Sequence, residues 1–112
     1  MVDISYEEHG DVIRMTISGE FYIESIQRAE DTWREIVEKR PKTIGINCKN
    51  IKFIDSSAIG VMVKFLNNAM KLNIELVFYD LSDSVFSVFK TAKLGNFFKI
   101  MTKAQFEQKY LT

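Results

Sequence analysis

Asp55, Ser56 and Ser57 set a carboxylate directly before two hydroxyls in this chain of 112 residues. They stand where a loop turns into a helix, beside backbone N–H groups that have no partner within the helix. As capping residues, each can accept a hydrogen bond from a free amide of the first turn. A serine hydroxyl placed there is also a candidate phosphoacceptor. A phosphate brings roughly 1.5 to 2 negative charges to the end of a helix whose dipole and free amides receive them well. Such a modification leaves the fold standing and changes the surface, so that a partner docked there through an apolar or acidic patch is repelled.

A third use, Ser56 as a catalytic nucleophile, requires a base held in place by another group. The one histidine, His9, falls in the turn of an N-terminal hairpin and has no reason to approach Ser56. One histidine and one cysteine, Cys48, do not supply a structural zinc site, and Cys48 reads as a small buried strand residue. The glycines are scattered and form no phosphate-binding loop. The chain is therefore expected to be no enzyme and to need neither a metal nor a cofactor.

Composition narrows the class further. Lysine plus arginine balance aspartate plus glutamate at 15 each, with no basic run longer than two residues, which argues against nucleic acid as a partner. A 46% hydrophobic and 27% charged composition is that of a globular domain. No apolar run approaches the roughly 20 residues that span a bilayer, and no apolar leader follows Met1. A single cysteine cannot form an internal disulfide, which suits a reducing compartment. The expectation is one cytoplasmic domain over residues 1–112, not bound to a membrane.

The elements that must position Ser56 follow from hydrophobic period. Ile4 and Tyr6 alternate with polar residues, His9-Gly10-Asp11 supplies a turn, and Ile13, Met15 and Ile17 resume the alternation up to Gly19, which closes the second strand. From Ser25 to Arg40 the residues Ile26, Ala29, Trp33, Ile36 and Val37 fall on one helical face, and Pro41 stops the helix. Ile44, Ile46 and Cys48 mark a short strand, and a loop through Lys52 leads to the helix that Asp55 and Ser56 introduce, which ends near Leu72. Residues 74–79 form a strand, Ser82 or Asp83 caps a helix, 97–101 form the last strand and 103–110 the last helix. The order β-β-α-β-α-β-α-β-α predicts an α/β single domain. Its mixed, mostly parallel sheet has an antiparallel first strand and is flanked by helices, with one face less deeply buried than in doubly wound folds.

The helix after Ser56 is apolar on two sides. Ile59, Met62, Val63, Leu66 and Met70 are expected to face the sheet. Ala58, Val61, Phe65 and Leu72 make a second stripe that either packs against a neighbouring helix or meets a partner. Because this stripe begins beside Ser56, a phosphate would gate an interface located there.

The run Ile51-Lys52-Phe53-Ile54-Asp55-Ser56-Ser57-Ala58-Ile59-Gly60 resembles the signature of the STAS domain of bacterial anti-sigma-factor antagonists. The resemblance extends over nearly the whole chain, since the element order is the same and Gly19-Glu20 falls where the family has a turn after its second strand. It implies partner switching in transcription regulation. The phosphoacceptor would be Ser56, with Ser57 as second choice, and the partners an anti-sigma factor that is also a serine kinase and a serine phosphatase. Together with the stripe, this sets the expected partner contacts at Asp55, Ser57, Ala58, Val61, Phe65, Glu20 and Tyr22, with close backbone approach at Gly60; a monomer or weak dimer is expected. The chain departs from the family in having Asn47-Cys48-Lys49 for Asp-Leu-Ser, Phe21-Tyr22 for Leu-Asp, and Ala58 for Gly. A STAS scaffold or interaction domain that is never phosphorylated is the alternative.

Overall fold

A computed structural model of the chain describes residues 2–111. Strands β1 (Val2–His9) and β2 (Val12–Phe21) form the expected antiparallel hairpin. Gly10 sits in its turn at φ 63°, a left-handed conformation that a glycine adopts without steric cost. A single 3-10 turn, Ile23–Ser25, leads into α1 (Ile26–Glu38). There follow β3 (Thr43–Asn47), β4 (Ile51–Ile54), α2 (Ser56–Lys71), β5 (Glu75–Tyr79), α3 (Asp83–Thr91), β6 (Ile100–Met101) and α4 (Lys103–Tyr110). The sheet runs β1-β2-β3-β5-β6, with β4 also paired to β2, and every pairing except β1–β2 is parallel. The expected α/β architecture is present.

Three details differ from the sequence expectation, each for a local reason. The segment expected as a loop through Lys52 that leads to the helix instead forms strand β4 over Ile51–Ile54, which pairs with the end of β2. Gly19 does not close β2. It is a bulge inside the strand, with φ 93° and its N–H donated to the Asn50 carbonyl at 2.8 Å. Val12 to Thr16 pair with β3, and from Gly19 onward β2 pairs with β4 instead. A bulge at a left-handed glycine bends a strand in this way. The last strand is only Ile100–Met101, because Phe98 leaves the ladder to pack against Phe78 and Phe89 at centroid distances of 4.5 and 5.1 Å.

Strand period two divides the core between the sheet's faces. Ile13, Met15, Ile17, Ile44, Ile46, Leu76 and Phe78 belong to a main core shared with α1, α2 and α3. Val12, Val77 and Tyr79 meet Phe106 of α4 on the other face, where Tyr79 and Phe106 stack at 4.3 Å. Gly45 lies under the Phe106 ring, and a methyl group there would stand 2.2 Å from it. One short helix therefore covers that face by close approach to bare backbone.

The second stripe of α2 turns inward. Ala58, Val61 and Phe65 are buried, and Phe65 stacks on Trp33 of α1 at 4.4 Å with the rings 7° from parallel. Trp33 donates its indole N–H to Asn68 at 2.8 Å, and Lys64 pairs with Glu30. Both stripes merge into one broad face containing Ala58, Val61, Met62, Phe65, Leu66 and Ala69, which wedges α2 between the sheet and α1. The expectation that Ala58, Val61 and Phe65 meet a partner is thus corrected. Met70, expected against the sheet, is exposed at the end of the helix, as is Leu72. Truncating Phe65 to Ala removes a buried stacked ring and should destabilise the domain by about 3–5 kcal/mol in chemical denaturation. A change below about 1 kcal/mol would place Phe65 outside the core.

Candidate functional site

The site is built at the carboxyl ends of β2 and β4. Asp55 continues the extended backbone of β4 (φ −103°, ψ 176°), and α2 starts at the next residue. Its carboxylate makes two bonds. Oδ1 accepts the N–H of Ala58 at 2.9 Å, capping α2, and Oδ2 accepts the N–H of Ile23 at 3.1 Å in the 3-10 turn after β2. The Asp55 N–H donates to the Phe21 carbonyl at 3.3 Å. One residue therefore caps a helix and ties the β2–α1 connection to it. An aspartate suits both tasks, because two ionised oxygens serve two amides at once and charge strengthens each bond.

Ser56 is the first residue of α2 and is exposed, whereas Ser57 is half-buried. Among the described residues, none hydrogen-bonds the Ser56 hydroxyl. Glu20 and Tyr22, both half-buried, lie on the end of β2 and just beyond it, and Glu20 stands opposite Phe53 in the β2–β4 ladder. The structure thus brings Asp55, Ser56, Ser57, Glu20 and Tyr22 to one end of the sheet and leaves Ala58, Val61 and Phe65 in the core.

Two residues that the sequence did not single out complete the surface. Ile23 is 63% exposed and Phe53 is 58% exposed. Ile23 is joined to Asp55 by a hydrogen bond, and Phe53 precedes Asp55 by two positions. Exposed large apolar side chains flank the Ser56 turn on both connected segments. The one available signal was the apolar pair Phe53-Ile54 beside polar residues, which carries no mark of which member faces out.

Other expected contributors have local roles. A methyl group on Gly60 would meet nothing within 4 Å, so that glycine permits no close backbone approach within the domain, and this expectation is corrected. Asn47 accepts the Lys49 N–H at 3.0 Å and closes the turn after β3. Burial, with a contribution from the charge of Asp80, pushes the Cys48 thiol far above its ordinary range, so it stays protonated. His9 ends β1 opposite Val12, whereas Asp55 lies beyond Phe21 at the other end of β2. At about 3.3 Å per residue those ends are roughly 30 Å apart, and the imidazole contacts Glu7 at 3.2 Å. Ser56 has no histidine base within reach. Among the described residues, no group of three His, Cys, Asp or Glu side chains could hold a metal ion, and no helix is long and apolar enough to cross a membrane.

Comparison with known proteins places this arrangement. The STAS domain model matches residues 3–106, and the chain belongs to that family. A candidate anti-sigma factor antagonist from Thermotoga maritima is similar with a TM-score of 0.86 at 20% identity, over 97% of this chain and 95% of that one. The anti-sigma factor antagonist SpoIIAA in its unphosphorylated form gives 0.78 at 17% identity, over 95% of each chain. The phosphorylated form of Bacillus SpoIIAA gives 0.71 at 15% identity, over 97% of this chain and 98% of that one. At such identities the likeness is one of fold. No curated protein matches the chain in sequence.

Replacing Asp55 by Ala removes both carboxylate bonds and should cost about 1–3 kcal/mol in thermal or chemical unfolding. Amide exchange at Ile23 and Ala58 should accelerate together. Faster exchange at Ala58 alone would show that the bond to the 3-10 turn does not hold in solution.

Proposed function

We infer that the chain is a phospho-regulated protein-binding module of the anti-sigma-factor-antagonist kind. In this reading it binds an anti-sigma factor that is also a serine kinase, is phosphorylated on Ser56, and is reset by a serine phosphatase in the cytoplasm. The observation that carries the reading is the exposed Ser56 at the start of α2, next to Asp55, whose carboxylate bonds the exposed Ile23, and three positions after the exposed Phe53. Family membership supports it, as does the existence of SpoIIAA in unphosphorylated and phosphorylated forms.

The physical consequence of a phosphate follows from that placement. The free amides and dipole at the start of α2 receive the added charge, so the domain stays folded. A partner covering Ile23 and Phe53 buries the phosphate without a counter-charge. Burying an uncompensated charge costs about 3–5 kcal/mol, which lowers affinity by at least about 100-fold. Glu20, Tyr22, Asp55 and Ser57 border the same surface and contribute to partner choice.

Incubation with ATP and a serine kinase of the anti-sigma type from the same organism, followed by intact-mass measurement, tests this. The expected result is a gain of one phosphate, lost in Ser56→Ala and retained in Ser57→Ala. Phe53→Ser and Ile23→Ser should weaken kinase binding without lowering the melting temperature. No phosphate gain from any such kinase, with Phe53→Ser still binding normally, would favour a scaffold that is never phosphorylated.

A further inference from the structure

The charge of the chain is balanced overall but not along its length. Between Asp83 and Glu107 there are four lysines, at 90, 93, 99 and 103, and no acidic residue. The first 38 residues carry ten acidic and three basic side chains. Three of those acidic residues, Asp3, Glu7 and Glu8, lie on β1, at the edge of the sheet opposite β6. Among the described residues, only Lys99 of the four has an ionic partner, Glu75 at 3.0 Å, and Lys90, Lys93 and Lys103 are exposed without one.

Two phenylalanines are exposed in the same segment, Phe86 at 51% and Phe97 at 49%. A cavity of about 430 Å³ opens between the outer side of α3 and the turn after it, lined by Phe86, Phe89, Lys90, Lys93, Gly95 and Asn96. Phe86 also walls a second recess of about 280 Å³ that reaches Met101 and Thr102 at the end of β6 and includes Asp80, so the basic character belongs to the first cavity alone. The surface is firmly mounted. Phe97 rests on Phe98, which packs into the aromatic cluster with Phe78 and Phe89. Lys90 and Lys93 complement the carboxyl end of the α3 dipole, yet that local role does not require the exposed Phe86 ring in the same cavity wall.

We propose that this face is a docking site for an acidic segment of a partner protein, with a large apolar side chain seated beside Phe86 and carboxylates facing Lys90 and Lys93. Charge complementarity defines the occupant, and a concave site with an aromatic wall supplies the anchor pocket that peptide recognition uses. Nucleic acid fits less well, because such binding neutralises many phosphates and three free lysines supply few contacts. A second copy fits less well too. Among the described residues, the acidic β1 edge exposes no large apolar side chain to fill the cavity. The site shares no residue with the Ser56 turn and does not depend on phosphorylation.

Selection from a random-peptide library on the intact protein, with NMR mapping of the recovered peptides on isotope-labelled protein, tests the proposal. The expected peptides are rich in Asp and Glu around a Phe, Trp or Leu, and they shift the amides of residues 86–101 but not those of 53–60. The double variant Lys90→Glu with Lys93→Glu should weaken their binding at least about tenfold, and Phe86→Ser should do likewise. Ser56→Ala should leave binding unchanged. The milder pair Lys90→Gln with Lys93→Gln serves if the charge-reversed protein melts early. Recovery of peptides without acidic enrichment, or mapping to another face, overturns the proposal. Binding to phosphatidylglycerol vesicles or single-stranded RNA that the same lysine variants abolish, with no acidic peptide recovered, reassigns the face to that ligand. Concentration-dependent sedimentation that those variants abolish reassigns it to a second copy.

Discussion

A single carboxylate holds together two stretches of chain that are distant in sequence. Asp55 accepts the N–H of Ala58 with one oxygen and the N–H of Ile23 with the other. The first bond fixes where α2 begins, so it decides that Ser56 is the leading exposed residue of that helix. The second fixes the 3-10 turn after β2, so it decides where Ile23 stands relative to that serine. A neutral capping side chain such as serine satisfies one amide and leaves the other without its charge-assisted partner. The candidate site is in this sense one residue's hydrogen-bonding geometry, with the sheet as its mount.

The mount depends on a change of partner along β2. Gly19, at φ 93°, lets the strand leave β3 and take up β4, and β4 delivers Asp55 to its position beside the end of β2. Behind the site, α2 is fixed by burial and not by the cap alone. Phe65 and Trp33 stack, Trp33 bonds Asn68, and Ala58 to Ala69 line the main core. The chemistry sits at the end of a helix whose body is anchored elsewhere. A charge added to Ser56 therefore alters the surface without entering the core, which is the physical condition for a switch that acts by gating contact.

Much of this was legible in the residues. Alternation at Ile13, Met15 and Ile17 and at Ile44 and Ile46 marked strands that the structure contains, and Asp55 was readable as a cap. Strand β4 was not legible, because Ile-Lys-Phe-Ile is too short to show a period and its pairing is set by a bulge in another strand. The role of the outer stripe of α2 stays open in the sequence for a related reason. Helical spacing tells which residues share a face, but only Trp33, on a different helix, decides that Phe65 faces inward. Ile23 and Phe53 are not legible as surface residues because apolar residue types indicate burial on average, and their exposure is a fact of tertiary placement. Lys90 and Lys93 are legible as residues but not as one cavity wall, since they are not adjacent in sequence.

In the proposed function, Ser56 is a surface switch on a fold that does not move. Its most direct test is a comparison of amide NMR spectra of the protein with serine and with genetically encoded phosphoserine at position 56, which needs no kinase. The expected result is shifts confined to residues 20–25 and 53–60, with the amides of β3, β5 and α4 unchanged and the melting temperature preserved. Shifts spread through the Trp33–Phe65 contact and the sheet, or loss of cooperative melting, would contradict it and make Ser56 part of the structural cap alone.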